Sequence, residues 1–236
     1  QKLVLSHFKT IKSCTHSVFT EKEEKVILAQ GELLSTALFH YHLCEQNIQS
    51  VLIPAFYFMK TDKDSEPDLA FIKEKLITEI NTHPGNTLFI TQGYIAHNEH
   101  GEIDNLKRGG SDYTATLIGV SVLATEIQIW TDIDGMHNND PRIVDNTKPL
   151  ANISFDEAAE LAYFGAKILY PASVYPAKIA NIPVRLKNTM QPQKPGTLIT
   201  NHTNGEGVKA IAAKDGITAI KVKSGRMLLA YGFMRK

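Results

Sequence analysis

Cysteine is scarce: Cys14 and Cys44 are the only two in 236 residues, and neither stands in a C-x-x-C pair or in a Cys/His spacing that holds zinc. This argues against a disulfide framework or a zinc module, and both thiols are read as reduced in a cytoplasmic setting. An excess of either charge is missing too. Lys plus Arg and Asp plus Glu both number 25, which removes the electrostatic footprint of a nucleic-acid or membrane partner and leaves small-molecule chemistry as the default. No apolar run approaches the ~18 residues of a membrane span, and the first residues carry no signal-peptide pattern. The chain opens on Gln1 rather than Met, so its first residues are not taken as the start of the domain. A G-x-x-x-x-G-K-[ST] loop and a G-x-G-x-x-G after a strand are both absent, so a nucleotide has to be held in some other way.

What is present is a hydrophobic content of 43%, enough for one large α/β domain or a domain with a smaller module. Val26, Leu33, Leu34, Ala37, Leu38 and Leu43 form a helical stripe over residues 23–46, interrupted by Gly31, which costs about 1 kcal/mol inside a helix. Residues 49-QSVLIP-54 read as a strand and 60-KTDKDSEPD-68 as a charged loop. Leu69, Ile72, Leu76 and Ile80 predict a helix that ends before Pro84-Gly85, and 87-TLFIT-91 a short buried strand. A hairpin or exposed loop over 97–106, with solvated His97 and His100, leads to a helix at about 112–124 and a strand at 126-EIQIWT-131. Ser154 and Glu157 make a capping box for a helix running to Gly165, and 182-IPVRLKN-188 and 197-TLIT-200 are strands. Strands alternating with helices predict an α/β fold with a mainly parallel sheet sandwiched by helices. Residues 201-NHTNGEG-207 read as a linker between a domain at 1–200 and an incomplete module at 208–236, in which Val208–Ala212 and Ile217–Val222 alternate as strands.

Three charged clusters could carry chemistry. In 107-KRGGSDYTATLIG-119 two glycines lead into a helix whose free N–H groups and positive dipole end suit an anion. Arg108 could grip a carboxylate through two parallel hydrogen bonds, Ser111 could donate another, and Asp112 could orient an ammonium or an attacking group. The same stretch also serves as a plain strand-to-helix turn with Ser111 or Asp112 as N-cap. The second cluster, 130-WTDIDGMHNNDPR-142, follows a strand end, where α/β sheets place ligands. It is not a calcium loop, because the glycine comes two residues early and no acid occupies the twelfth position. Its bland alternative is an Asx-turn at Asp140-Pro141 among solvated carboxylates. In the third, 164-FGAKIL-169, Lys167 is a point charge for a phosphate or a solvated lysine. Glu32, beside Gly31, is a ligand group or an exposed helix glutamate.

Taken together, 30-QGELLST-36, 106-LKRGGSDYTATLIG-119, 130-WTDIDGMHNNDPRIV-144, 153-ISFDEAAELAYFGAKILYP-171, 182-IPVRLKNT-189 and 195-PGTLI-199 resemble, in order and approximate spacing, the motifs of the aspartate kinases within the amino acid kinase family. The resemblance covers most of residues 30–236. It implies the amino acid kinase fold followed by the start of an α+β ACT regulatory domain, and ATP-dependent phosphorylation of the β-carboxylate of L-aspartate to 4-phospho-L-aspartate, at the head of lysine, threonine and methionine biosynthesis. By motif, Glu32 would pair with the substrate ammonium, and Arg108, Gly109, Gly110, Ser111 and Asp112 would hold its carboxylate. Thr131, Asp132, His137, Arg142, Lys167 and Ile168 would contact ATP, with Mg²⁺ as companion. Arg108, Asp112 and Lys167 would stand at the reacting groups.

The stretch 207–233 is similar to the entry of the ACT domains of lysine-sensitive members. That implies a homodimer and an amino-acid effector, lysine. Three positions depart from the family pattern: His137 replaces a frequent tyrosine, Lys107 the usual glycine before the arginine, and Tyr170 the histidine of L-H-P. The family's opening K-F-G-G strand, whose lysine meets the transferring phosphate, is not in this sequence, so the chain taken alone is expected to lack that group. Two other readings follow: a module that binds amino acid or nucleotide without turnover, and an amino acid kinase for another acid.

Overall fold

A computed structural model describes residues 1–15, 18–164, 169–203, 207–213, 216 and 218. Two helices open the chain, α1 (Lys2–Cys14) and α2 (Glu21–Glu45). Thr20 and Glu23 cap α2 reciprocally, and the Thr20 backbone N–H donates to Glu23 Oε2 at 3.0 Å. Helix α2 matches the apolar stripe read from the sequence. Helix α1 was not legible, because it buries none of its residues fully and holds to α2 through contacts such as His7 Nδ1 to Gln30 Oε1 at 2.7 Å.

Next come β1 (Val51–Leu52), a 3-10 turn at Ala55–Tyr57, α3 (Leu69–Asn81) and β2 (Phe89–Ile90), with β1 and β2 paired in parallel. Asp68 starts α3 by accepting from Phe71 N at 3.0 Å. The expected hairpin is β3 (Ile95–His97) against β4 (Ile103–Asn105). His97 departs from the solvated expectation: half-buried, it stacks on Phe56 with ring centroids 4.5 Å apart. Asp104, buried in β4, accepts from Thr61 Oγ1 at 3.1 Å and pairs with Lys25 of α2 at 3.0 Å, which fastens the hairpin to that helix.

Helix α4 (Gly110–Ser121) leads into β5 (Ile127–Thr131), followed by β6 (Asn152–Ser154), α5 (Phe155–Phe164), α6 (Pro171–Ala180), β7 (Val184–Asn188) and β8 (Thr197–Thr200). The capping box at Ser154 and Glu157 is present in both directions. The order in the four-stranded sheet is β5-β7-β8-β6. In it β5–β7 and β6–β8 run parallel and β7–β8 antiparallel, from Ile127↔Val184 at one edge to Ile153↔Ile199 at the other. The α/β fold expected from alternation is thus observed, with parallel pairs predominating and helices packed on the sheet.

Two hydrophobic clusters form the core. One gathers Ile129, Met136, Ile153, Val174, Val184, Leu186 and Ile199 around the four-stranded sheet; the other gathers Ile53, Phe58, Ile72, Leu76, Ile95 and Leu117 around β1–β2 and α3. Each fully buried aliphatic or aromatic side chain here contributes about 1.5–3 kcal/mol. Helix α4 serves both clusters, with Leu117, Tyr113 and Ile118 on one side and Ala115 and Val120 on the other.

After β8 the chain does not form the strand that alternation suggested at Val208–Ala212. The described residues 207–213 are irregular and are tied instead to the elements they cross: Ile211 N donates to Asn138 O at 2.9 Å and Lys209 Nζ pairs with Glu157 at 2.8 Å. The expected strand at Ile217–Val222 lies outside the described residues apart from Thr218.

Gly196, just before β8, sits at φ +69°, where a methyl group would lie 1.8 Å from the Leu186 carbonyl oxygen. Gly196→Ala should therefore destabilise the fold by on the order of 2–4 kcal/mol, read as a lower denaturant midpoint.

Candidate active site

The site is built where three elements meet: one turn of α2, the chain leaving β2, and the start of α4. Gln92, buried directly after β2, accepts from Ala55 N at 2.8 Å and donates to Thr36 Oγ1 at 2.7 Å. Thr36 in turn donates to the Glu32 carbonyl at 2.7 Å. Glu32 is thus held one helical turn from a strut that crosses to the strand end. Gly31 beside it has nothing within 4 Å of where a Cβ would sit, and no contact explains that glycine.

Helix α4 starts at Gly109, which is its N-cap at φ +72° with no side chain capping it. The reading of Ser111 or Asp112 as N-cap is overturned, because the left-handed glycine turn brings the helix in directly. Packing demands both glycines. A methyl at Gly109 would lie 2.7 Å from Tyr170 Cβ, and one at Gly110 would lie 2.6 Å from Tyr94 Cδ2 and 3.2 Å from Leu106 Cβ. The helix start is wedged between Tyr170 and the Tyr94 ring, and the N–H groups of Ser111 and Asp112 have no acceptor among the described residues and stay open to a ligand.

Around this start lies an open cleft of about 370 Å³ lined by Glu32, Tyr94, Lys107, Gly109, Gly110, Ser111 and Asp112. Burial pushes the Glu32 and Asp112 carboxyls above their ordinary range, and burial is the sole cause in both. Neither carboxylate has a cationic partner among the described residues. Arg108 stands on the same turn, exposed, without a hydrogen bond or ion pair among the described residues. Two desolvated acids, an open helix N-terminus and adjacent cations suit a small zwitterion: an ammonium for the acids, a carboxylate for the N–H groups and the guanidinium.

Residues 122–126 turn the chain so that β5 runs back along α4. Gly119 packs so closely on Ile127 that a methyl there would lie 2.4 Å from Ile127 Cγ1. The C-terminal end of β5, Thr131 and Asp132, therefore lies at the end of the molecule where α4 begins. Thr131 Oγ1 donates to Asp132 Oδ1 at 3.0 Å, and Asn188 Nδ2 holds the Asp132 carbonyl at 3.4 Å. The loop beyond is clamped by buried Thr197, whose hydroxyl accepts from Met136 N at 2.9 Å and donates to Leu150 O at 2.6 Å. His137 uses both ring nitrogens, toward Asp134 Oδ1 at 2.7 Å and Thr147 Oγ1 at 2.8 Å. Arg142 lies along Asp140, with Nε–Oδ1 at 2.9 Å and Nη2–Oδ2 at 2.5 Å. The Asx-turn read at Asp140 is present as well, closed by Arg142 N.

The structure thus brings Glu32 and Gly109–Asp112 together in one cleft, keeps Arg108 at its turn, and gathers Thr131, Asp132, His137 and Arg142 on one loop. Lys167 and Ile168 lie outside the described residues. Tyr94 went unread as a lining residue; the signal was its place in Gln92-Gly93-Tyr94 directly after a strand.

The sequence pattern of the amino acid kinase family matches residues 5–188. The chain belongs to the amino acid kinase family. Among curated members it is 37% identical over 212 residues to the lysine-sensitive aspartokinase 3 of Escherichia coli (strain K12), covering 88% of this chain and 47% of that protein. It is 36% identical over 229 residues to the chloroplastic aspartokinase 3 of Arabidopsis thaliana, covering 92% and 40%. The chain thus spans about half the length, or less, of these relatives. Among solved structures it is similar to E. coli aspartokinase III in complex with aspartate and ADP (R-state), with a TM-score of 0.79 and 34% identity over 86% of this chain and 46% of that one. The lysine- and aspartate-bound T-state of the same enzyme gives a TM-score of 0.76 at 35% identity, with the same coverage. Among the described residues no helix is long and apolar enough to cross a membrane.

Two outcomes follow from the charges. The raised carboxyls make the cleft a source of instability: their contribution is favourable below the ordinary carboxylate range and is lost as pH rises through the elevated values. Asp112→Asn should then raise the denaturant midpoint at pH 7, with the gain vanishing near pH 3. Glu157 behaves oppositely. Burial opposes its ionisation, but hydrogen bonds from Lys209 and from the Ser154 N–H and hydroxyl outweigh it and bring the carboxyl down to about 2. Its stabilisation is full above the usual carboxylate value and is lost as pH falls from about 4.5 to about 2. Hydrogen exchange at Ile211 should speed up across that window and lose the dependence in Lys209→Met.

Proposed function

We propose that the protein carrying this chain is an aspartate kinase that transfers the γ-phosphoryl group of ATP to the β-carboxylate of L-aspartate. The observation that carries the reading is the pairing of two unpartnered, desolvated carboxylates with an open helix N-terminus and Arg108 around one cleft. Its likeness to an aspartokinase solved with aspartate and ADP supports the same assignment.

Glu32 receives the substrate ammonium, with Asp112 orienting it. Arg108, the Ser111 hydroxyl and N–H, and the Gly109 N–H hold the α-carboxylate, while Gly110, whose own N–H donates to Lys107 O, forms the turn that presents them. An oxygen of the β-carboxylate then attacks the γ-phosphorus; the new O–P bond forms as the bond to the β,γ-bridging oxygen breaks, and ADP leaves with that electron pair. The attacking group is already ionised at neutral pH, so no strong general base is required. Positioning and charge neutralisation supply the catalysis.

On the nucleotide side, Thr131, Asp132, His137, Arg142, Lys167 and Ile168 contact ATP. Arg142, itself exposed, exchanges its half-buried Asp140 partner for phosphate. Among the described residues no three His, Cys, Asp or Glu side chains converge as a metal site. The chain fits Mg²⁺ as a companion of the nucleotide's phosphates, bound through them and water.

Residues 201–207 act as a linker and 208–236 begin an ACT regulatory domain that takes an amino-acid effector, lysine, in a cytoplasmic homodimer. Arg108→Ala should lower kcat/KM for L-aspartate about 10²-fold, the loss of roughly 3 kcal/mol of charge-assisted hydrogen bonding, while KM for ATP changes little. A hydroxamate assay of the intact protein reads this, and an unchanged kcat/KM would refute the role of Arg108.

A further inference from the structure

Among the described residues six non-glycine positions adopt a positive φ, and two of them, Tyr94 at +70° and Lys107 at +57°, line the same cleft. Lysine is poorly suited to that conformation, and glycine would adopt it without cost. The turn itself explains the backbone: Lys107 N donates to Asn105 Oδ1 at 3.1 Å and Gly110 N donates to Lys107 O at 3.2 Å. It does not explain the side chain, whose ammonium has no acceptor among the described residues. Of the two neighbouring cations, Lys107 rather than Arg108 lines the cleft.

The charges in and around the cleft complete the argument. Glu32 and Asp112 offer two negative charges and Arg108 one positive. An amino acid with a neutral side chain needs a site for one ammonium and one carboxylate. An amino-dicarboxylic acid brings a second carboxylate, which a site holding two acids and a single cation would repel.

We propose that Lys107 is a specificity-determining residue, a second cation that holds the side-chain carboxylate of an amino-dicarboxylic acid in the cleft while Arg108 holds the α-carboxylate. This rests on the reading of the cleft as an amino-acid site. It extends that reading to a residue whose strained backbone is kept for the sake of its side chain.

Calorimetric titration of the intact protein, of Lys107→Gly and of Lys107→Arg with L-aspartate and with L-asparagine tests the proposal, alongside the hydroxamate assay. Lys107→Gly should lose the left-handed strain, and so melt no lower than the parent. It should bind L-aspartate about tenfold more weakly, with binding of L-asparagine changed less than about twofold. Lys107→Arg should keep most of the preference for aspartate. An aspartate-to-asparagine ratio unchanged in Lys107→Gly overturns the proposal, as does failure of the parent to bind L-aspartate. Normal aspartate binding without aspartyl phosphate formation would refute the kinase reading instead and leave the binding ratio to judge Lys107.

Discussion

The contact on which the molecule depends is the wedging of the first turn of α4 between Tyr94 and Tyr170. With only 2.7 Å to Tyr170 Cβ and 2.6 Å to the Tyr94 ring from the places where Cβ atoms would stand, only glycine fits at positions 109 and 110. That contact aims the helix axis, and the rest of α4 then lies between the two hydrophobic clusters and binds them into one core. The open N–H groups at its start are a consequence of the same geometry. A residue with a capping side chain has no room at Gly109, so the helix end stays available to a ligand.

Electrostatics in the cleft run against stability. Glu32 and Asp112 are held partly out of water with no ion-pair partner among the described residues, and the Gln92–Thr36 strut keeps Glu32 in place. A ligand ammonium would relieve both carboxylates at once. A site organised before its ligand arrives gains affinity by having met that cost during folding. The loop proposed to meet the nucleotide follows another rule. Its cation, Arg142, lies along Asp140, and His137 is tied at both nitrogens, so the loop is ordered by internal partners.

The segment at 207–213 joins these regions from outside. Through Ile211 it holds the loop that carries His137 and Arg142, and through Lys209 it holds the first turn of α5. Among the described residues the segment is thereby tied to both elements, by a backbone hydrogen bond and by an ion pair on a carboxyl that also caps its helix.

Helices α2 and α3 and strands β5, β7 and β8 were legible in the sequence because each shows a clear apolar period, and the hairpin was one of two readings of its polar loop. The acidic and glycine-rich motifs likewise announced Glu32 and Gly109–Asp112. Helix α1 and strand β6 left no such trace, since one buries no residue fully and the other is three residues long. Residues 208–212 alternate like a strand but pair with no strand among the described residues, and alternation states only which faces could be buried, not whether a partner strand exists. Tyr94 and Lys107 joined the site through backbone conformation. Local sequence determined the elements and the chemical groups. Only the tertiary structure decided which carboxylates lost water without gaining a partner and which side chains entered the cleft, because desolvation and ring-to-backbone contact arise from residues distant in the chain.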